Sequence, residues 1–496
     1  MASPLPAERD VIRFVLDGEV IELQDIDPTL TVLQYLREYR RRTGTKEGCA
    51  EGDCGAGTVV LGELHGPHLR FRAVNACIQF VPTLDGKALI TVESLKARDG
   101  LLHPVQQAIV ECHASQCGFC TPGFVMSLYA LYKTESGPTR EQIQDALAGN
   151  LCRCTGYRPI IDAAQRLYDV GHAEEPLSTD DDMIGHLQSI QHRHPIALRH
   201  HRLYFAPTTI DGLTALCQRY PEAHLLAGGT DIGLWVTKQY QHLDVIIYLG
   251  RVEPLTQLKV TQDAIEVGAA MSLTDVYGTL MQHYPMLDEL WRRFASPPIR
   301  NVATLGGNIA NASPIGDSMP ILMALGTRLI LRHGAEQREY PLDEFYLGYR
   351  HTALKPGEWI ERIRIPRLGP DPHIRAYKVA KRYDQDISAV CGAYCLTLYH
   401  NIVRDIRICY GGMAATPKRA EHCEQALIGQ TWTEAAVEAA AAALDQDYTP
   451  LSDMRASAAY RRRVAQNLLR RFFMETSNPT HMIRTSDFSL SQGPST

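Results

Sequence analysis

The sequence predicts a multidomain α+β protein, and three observations lead there. Its 496 residues exceed the usual domain size of roughly 150 about threefold, so three or four cores are expected. Eight of its thirteen cysteines fall in the first third, where short alternating strands give way to helical patterns. Beyond them, two Gly-Gly loops punctuate strand and helix patterns ahead of a closing sheet and alanine-rich helices.

Residues 9–93 read as a small, mostly β module. "VIRFVL" and "EVIEL" flank Asp17-Gly18, a hairpin pair whose central positions both take positive φ. Leu30, Val32, Leu33 and Leu36 recur at helical spacing over Thr29 to Tyr39, behind the capping candidates Asp27 and Thr29. Strands at "TVVLGEL", "LRFRAVNAC" and "ALITVESL" complete a strand, strand, helix, strand order. The loop "GCAEGDCGAGTVV", with Cys49 and Cys54, lies between helix and third strand.

Residues 94–170 turn helical. "HPVQQAIVECH", "PGFVMSLYALYK", "TREQIQDALAGN" and "PIIDAAQRLYDV" predict four helices, the third opening on a Thr139/Gln142 capping box. Cys117 and Cys120 precede the second helix, while Cys152 and Cys154 fall between the third and fourth. Helix ends have free N–H groups that can hydrogen-bond anionic sulfur. Four thiolates in this set suit a [2Fe–2S] cluster or a structural zinc ion, and Cys-x-Cys departs from the usual zinc spacing.

Residues 171–197 are acidic and then histidine-rich, with little apolar periodicity, and read as a linker whose His186, His192 and His194 are solvated. In 198–372, "HLLAGGTDIGLWV" and "IRNVATLGGNIANASPIGDSMPILMAL" each place a glycine pair before a helix-like run. Such loops suit a pyrophosphate cradle, and equally a pair of tight turns. No G-x-G-x-x-G follows a strand, so a Rossmann fold is not indicated. Over 373–480, two long strands joined at "HNIV" and the helices "EAAVEAAAAAL" and "MRASAAYRRRVAQNLLRRF" predict an α+β domain.

A net charge of −6 with no basic block argues against nucleic acid or an anionic membrane as partner. The run Tyr460 to Arg471 reads as a solvated helix face. The N-terminus carries no signal pattern and no run of about 18 apolar residues occurs, so a cytoplasmic location is expected. Cys217, Cys391, Cys395, Cys409 and Cys423 read as buried small hydrophobes.

"SQCGFCTPGFVMS" and "GNLCRCTGYRPI" closely resemble the helical [2Fe–2S] domain of the molybdenum hydroxylases, the xanthine dehydrogenase and aldehyde oxidase superfamily. "GTKEGCAEGDCGA…NAC" resembles that family's N-terminal plant-type ferredoxin domain, and the glycine-pair segments resemble its flavin domain. The resemblance implies a β-grasp ferredoxin-like domain, a four-helix [2Fe–2S] domain, a vanillyl-alcohol-oxidase-type FAD domain and an α+β flavoprotein C-terminal domain. It assigns Cys117, Cys120, Cys152 and Cys154 to one [2Fe–2S] cluster and Cys49, Cys54 and Cys77 to another, whose fourth ligand is missing at Gly57.

FAD would be held by Leu225, Leu226, Ala227, Gly228, Gly229, Thr230, Asp231 and Ile232, and by Thr304, Leu305, Gly306, Gly307 and Asn308. Phe294, Asp317, Ile360 and Lys378 would add contacts, and Asp231 and Tyr349 match positions facing NAD. Because the chain stops at Thr496, the resemblance implies a molybdopterin-binding large subunit, in a heterotetramer of two small and two large subunits. Purine hydroxylation would then use no catalytic residue of this chain, which would relay electrons through the clusters to FAD and NAD.

Overall fold

The computed structural model describes residues 8–97, 100–169, 177–369 and 371–477. The chain divides into two compact units: Met1–Thr256 with Ser272–Thr274 and Ala295–Thr304, and the remainder from Gln257 onward. The division falls inside the stretch expected as one flavin domain.

In the first unit, β1 (Val11–Leu16), β2 (Glu19–Gln24), β3 (Thr58–His65), β4 (His68–Asn75) and β5 (Ala88–Ile90) form a sheet ordered β2-β1-β5-β3-β4. Pairing is antiparallel except between β1 and β5. Strand alternation gives the sheet two buried faces. Val59 and Leu61 join Phe14, Val32 and Leu36 in one core, while Val60, Phe71, Ala73 and Ile90 join the helices that follow in another.

Two local expectations change. The helix at Thr29 to Tyr39 is one α-turn, Val32–Gln34, running into a π-turn, Tyr35–Tyr39. Its cap is Thr31 in a box with Gln34, because Asp27 is already engaged with Thr29. The segment "ALITVESL" is strand only over Ala88–Ile90, since Thr91 and Ser94 form a capping box on the 3₁₀ turn Val92–Leu95.

The four expected helices are Pro104–Glu111, Thr121–Thr134, Arg140–Leu147 and Arg158–Asp169, and Thr139 and Gln142 cap the third. The expected linker contains a fifth, Leu177–Ile190. Leu187 and Ile190 are buried with Val15 and Ala88, and Met183 packs beside them. Residues 171–176 lie outside the described residues. His192 is not simply solvated, as its Nε2 lies 2.9 Å from Arg13 Nη1. A second sheet follows in this unit, β6 (Ile196–Arg199), β7 (Leu203–Ala206), β8 (His224–Leu226) and β9 (Val245–Tyr248), ordered β6-β7-β9-β8.

The second unit holds an antiparallel five-stranded sheet ordered Leu258–Val260, Ala264–Gly268, Trp359–Pro366, Arg328–His333, Glu336–Pro341. A four-stranded sheet follows, centred on Val390–Tyr399 and Ile402–Gly411. Its turn is His400-Asn401, both at positive φ (48° and 61°), as a tight hairpin requires. Helices Glu421–Leu427, Glu434–Asp447 and Ala458–Ser477 share a core with this sheet, including a Tyr394–Phe472 stack with centroids 4.8 Å apart.

The basic run is not wholly solvated. Arg461 is buried against the carbonyls of Ala389 and Gly412 and the carboxylate of Asp453, and Arg470 pairs with Glu438. Cys217, Cys391, Cys395, Cys409 and Cys423 are buried. Among the described residues no helix is long and apolar enough to cross a membrane.

Candidate metal centres and cofactor loops

Cys120 is the N-cap of Thr121–Thr134, and Cys152 and Cys154 occupy the turn before Arg158–Asp169. The fold brings the two pairs together as a row: Cys117 to Cys154 at 3.6 Å, Cys154 to Cys152 at 3.8 Å, and Cys152 to Cys120 by a thiol hydrogen bond. A single tetrahedral ion needs all four sulfurs equidistant, whereas a two-iron core takes two thiolates per metal. Among the described residues no group of three or more His, Cys, Asp or Glu side chains is placed to hold one metal ion. Sulfur separations of 3.6 and 3.8 Å are compatible with a [2Fe–2S] cluster, which takes two thiolates on each iron.

Burial works against the Cys152 thiolate, but the hydroxyl of Thr155 (3.1 Å) and its N–H (3.5 Å) both point at the sulfur and hold the thiol down at about 6. Burial, and then the neighbouring Cys152, push Cys120 up to about 12. Tyr157 completes the turn, accepting from the Cys152 N–H at 3.0 Å and donating its own N–H to Thr155 Oγ1. Hydrogen bonds of this kind orient ligands and tune the metal. Thr155→Val is expected to weaken iron retention about 10–100-fold and to lower the reduction potential of this centre, measured by chelator challenge and redox titration.

In the first domain, the thiols of Cys54 and Cys77 both donate to Cys49 Sγ, which drives Cys49 well below the ordinary thiol range and the other two above it. The N–H groups of Cys54 (3.3 Å) and Glu51 (3.5 Å) also point at that sulfur. Three thiols therefore converge. Gly57 is buried beside them and supplies no ligand atom, so the site falls one short of four thiolates. Thr58 does not substitute for it, because its hydroxyl donates to Gly55 O at 2.7 Å and faces Asn150 Nδ2.

The two cysteine sets are tied by backbone. The Leu151 N–H donates to the Cys54 carbonyl at 3.0 Å, so one hydrogen bond joins Cys54 to the residue next to Cys152. Asn150 is buried and fully used: its amide donates to Gly55 O (3.2 Å) and Thr58 Oγ1 (3.3 Å), and its oxygen accepts from Ser127 (2.6 Å). Glycines permit the approach. A Cβ on Gly55 would lie 2.1 Å from Gly149 O, and one on Gly123 2.1 Å from Gly55 O. Sequence reasoning passed over Asn150, Thr155, Tyr157 and Ser127, although the first three lie within three residues of the Cys-x-Cys pair.

The expected flavin residues fall in both units. In the first, Leu225 and Leu226 end β8, Ala227 to Asp231 form the turn, and Ile232 opens the helix Ile232–Thr237. Gly228 is required by packing, since its Cβ would meet Val302 O at 1.9 Å, and Gly229 has φ +74°. Among the described residues the N–H groups of Gly229 and Thr230 donate to no backbone carbonyl, which suits an anionic ligand. Asp231 is exposed and Thr304 buried.

In the second unit, Leu305 to Asn308 open the helix Leu305–Ala310, and Asn308 Oδ1 is a buried acceptor without a hydrogen bond, as a ligand-facing group would be. Phe294 packs edge-on to Tyr277. Tyr349 is exposed and Ile360 buried. Asp317 and Lys378 form a buried ion pair at 2.5 Å, with Ser388 donating to the other carboxylate oxygen at 2.6 Å. Asp317→Ala would strand the ammonium, and removing one partner of a buried pair costs about 3–5 kcal/mol. Denaturant unfolding should show that loss, with Asp317→Asn milder.

Three family profiles match the chain: a [2Fe-2S] binding domain over 91–165, the FAD binding domain in molybdopterin dehydrogenase over 196–368, and the CO dehydrogenase flavoprotein C-terminal domain over 375–476. Xanthine dehydrogenase of Emericella nidulans is 34% identical over 97% of this chain and 40% of its own length. Aldehyde oxidase 1 of Bos taurus is 31% identical over 94% and 39%. The carbon monoxide dehydrogenase of Hydrogenophaga pseudoflava, in a form lacking the Mo-pyranopterin moiety, gives a solved chain 28% identical with TM-score 0.52, covering 54% of this chain and 94% of that one. Fold and matches define a multidomain α+β assembly of [2Fe–2S]-binding, FAD-binding and flavoprotein C-terminal domains. The chain belongs to the molybdenum hydroxylase family. It spans about two fifths of the length of the curated relatives it matches.

Proposed function

We propose that the chain is the iron–sulfur and flavin small subunit of a bacterial-type xanthine dehydrogenase, working in the cytoplasm beside a molybdopterin-binding large subunit that oxidises hypoxanthine or xanthine. The observation that carries this is the hydrogen bond from Leu151 to Cys54, which links the two cysteine sets through backbone. Two [2Fe–2S] clusters and FAD would supply single-electron transfer and its conversion to hydride release toward NAD. Cys117, Cys120, Cys152 and Cys154 would hold one cluster, and Cys49, Cys54 and Cys77 the other. The Gly228-Gly229 loop, Thr304 to Asn308, Phe294, Asp317, Ile360 and Lys378 would hold the flavin, with Asp231 and Tyr349 toward NAD.

Cys117, Cys154, Phe119, Leu151 and Tyr157 are all exposed around the second set, and an apolar rim beside exposed ligands supports docking of an electron-donating subunit there. The test is spectroscopic and kinetic. The purified chain should show flavin plus iron–sulfur absorption, and its complex with the large subunit should reduce NAD with xanthine. A colourless chain would sink the reading.

A second reading has Gly57 in its favour: a redox-impaired or regulatory relative that keeps the fold. It predicts flavin absorption alone. The likeness to aldehyde oxidase 1 keeps an aldehyde-oxidising partner as a substrate alternative, and comparing xanthine with an aldehyde as donor separates the two.

A further inference from the structure

Around Asp85, which pairs with Arg9 ahead of β1 and with Arg251 after β9, the first unit buries more positive charge than it neutralises. Arg9 and Arg251 share a single carboxylate: Asp85 Oδ2 lies 2.9 Å from Arg9 Nη2 and 3.5 Å from Arg251 Nη1. All three side chains are largely buried, at 12%, 14% and 4% exposed. The other Asp85 oxygen is taken by the Arg13 N–H at 2.9 Å. Arg13 spends its own guanidinium on the exposed Glu22 (2.7 Å) and on the His192 ring. His192 adds no negative charge, and its burial together with Arg9 and Arg13 lowers its basicity. Two buried guanidiniums thus face one carboxylate, which leaves one positive charge uncompensated.

The donors tell the same story. Arg9 Nε and Nη1, Arg251 Nη1 and the hydroxyl of Tyr204 are buried without a hydrogen-bond partner. Tyr204 is wholly buried and close enough to Arg251 and Asp85 to feel their charges. A buried donor left unpaired costs about 1–3 kcal/mol, more when charged, and a buried cation is retained only when paired. Arg251 is held by Asp85 and by the His192 carbonyl at 2.6 Å, but the unpartnered donors of Arg9 and Tyr204 and the one excess charge call for a ligand that accepts hydrogen bonds and carries a single negative charge.

We infer that Arg9, Arg251 and Tyr204 form a binding site for a small monovalent anion of chloride size, beside Asp85, which bridges the two guanidiniums. The site joins elements remote in sequence. Arg9 bridges to Ile196 on β6, Asp85 precedes β5, Tyr204 lies on β7, and Arg251 follows β9. The anion therefore clamps the first sheet to the second, and does so independently of any cluster or flavin.

The full chain, purified free of halide, would be unfolded thermally in rising sodium chloride, with sodium gluconate holding ionic strength constant. The midpoint should rise with chloride and saturate. Tyr204→Phe, which removes one donor and keeps the ring, should shift the chloride response to several-fold higher concentration while the unfolding transition in gluconate stays cooperative. Crystals soaked in bromide should give an anomalous peak within hydrogen-bond distance of Arg9 and Arg251. Equal midpoints in chloride and gluconate, with no bromide at this cluster, would overturn the proposal in favour of buried water. A response to inorganic phosphate without one to chloride would overturn it as well, because the site would then take a larger oxyanion.

Discussion

Gly57→Cys should raise the iron bound per chain from about two toward about four atoms, since each [2Fe–2S] cluster holds two, and should add a second reduced-cluster signal in electron paramagnetic resonance. The geometry permits it. Gly57 does not have the positive φ that side chains resist, and a Cβ there would meet the Lys46 carbonyl at 3.3 Å and Cys77 Cβ at 3.8 Å. The first contact asks for a shift of a few tenths of an ångström. The second places the new thiol next to the existing ligand set. With three thiolates the native site should assemble a cluster that is labile or substoichiometric, and its charge, one unit less negative, should raise the potential. Four irons and two normal signals in the unmodified chain would refute this.

Gly123→Ala is expected to destabilise the chain by about 1–3 kcal/mol, the usual range for overpacking. The sign is the informative part. Gly123 is the third residue of the helix Thr121–Thr134, where alanine in place of glycine normally stabilises by about 1 kcal/mol. Here the added methyl would sit 2.1 Å from the Gly55 carbonyl oxygen and 3.2 Å from Asn150 Nδ2. A backbone oxygen cannot swing aside as a side chain can, so the Cys54-Gly55 loop must retreat, and the Leu151 hydrogen bond to Cys54 is lost with it. Gly185→Ala, on the helix Leu177–Ile190 with nothing within 4 Å of the added carbon, is the control and should stabilise slightly. Urea unfolding of the two variants decides the matter.

The sequence made legible whatever depends on neighbours along the chain. The Thr139/Gln142 box, the Asp17-Gly18 turn and the four helices around Cys117 to Cys154 all follow from local spacing. Leu177–Ile190 escaped because a run of three aspartates opens it and histidines follow it, although Met183, Leu187 and Ile190 already stand at helical intervals. The Thr29 to Tyr39 segment kept its apolar spacing but not its α-geometry, since a π-turn carries the chain out of register from Tyr35 onward. What no spacing could give is the company that residues keep across the fold. Asn150 reads as an ordinary helix-end asparagine until Gly55, Thr58 and Ser127 are seen around it. Gly228 reads as a phosphate-loop glycine, and the fold adds that Val302 leaves no room for anything larger.

The shared core of β3, β4 and the helical segment bears on how this protein can be taken apart. Sequence comparison draws a module edge near residue 91, and a fragment cut there would look complete on paper. Yet Val60, Phe71, Ala73 and Ile90 form part of the lining against which Phe124, Leu128 and Ile160 are buried, and Asn150 finds its acceptors at Gly55 and Thr58. Severed at 91, the four helices would present a greasy flank and a stranded amide to water, and such a fragment should aggregate on expression. The unit of inheritance and the unit of folding have different borders here, so any transplant of the helical cluster module must carry the preceding sheet with it.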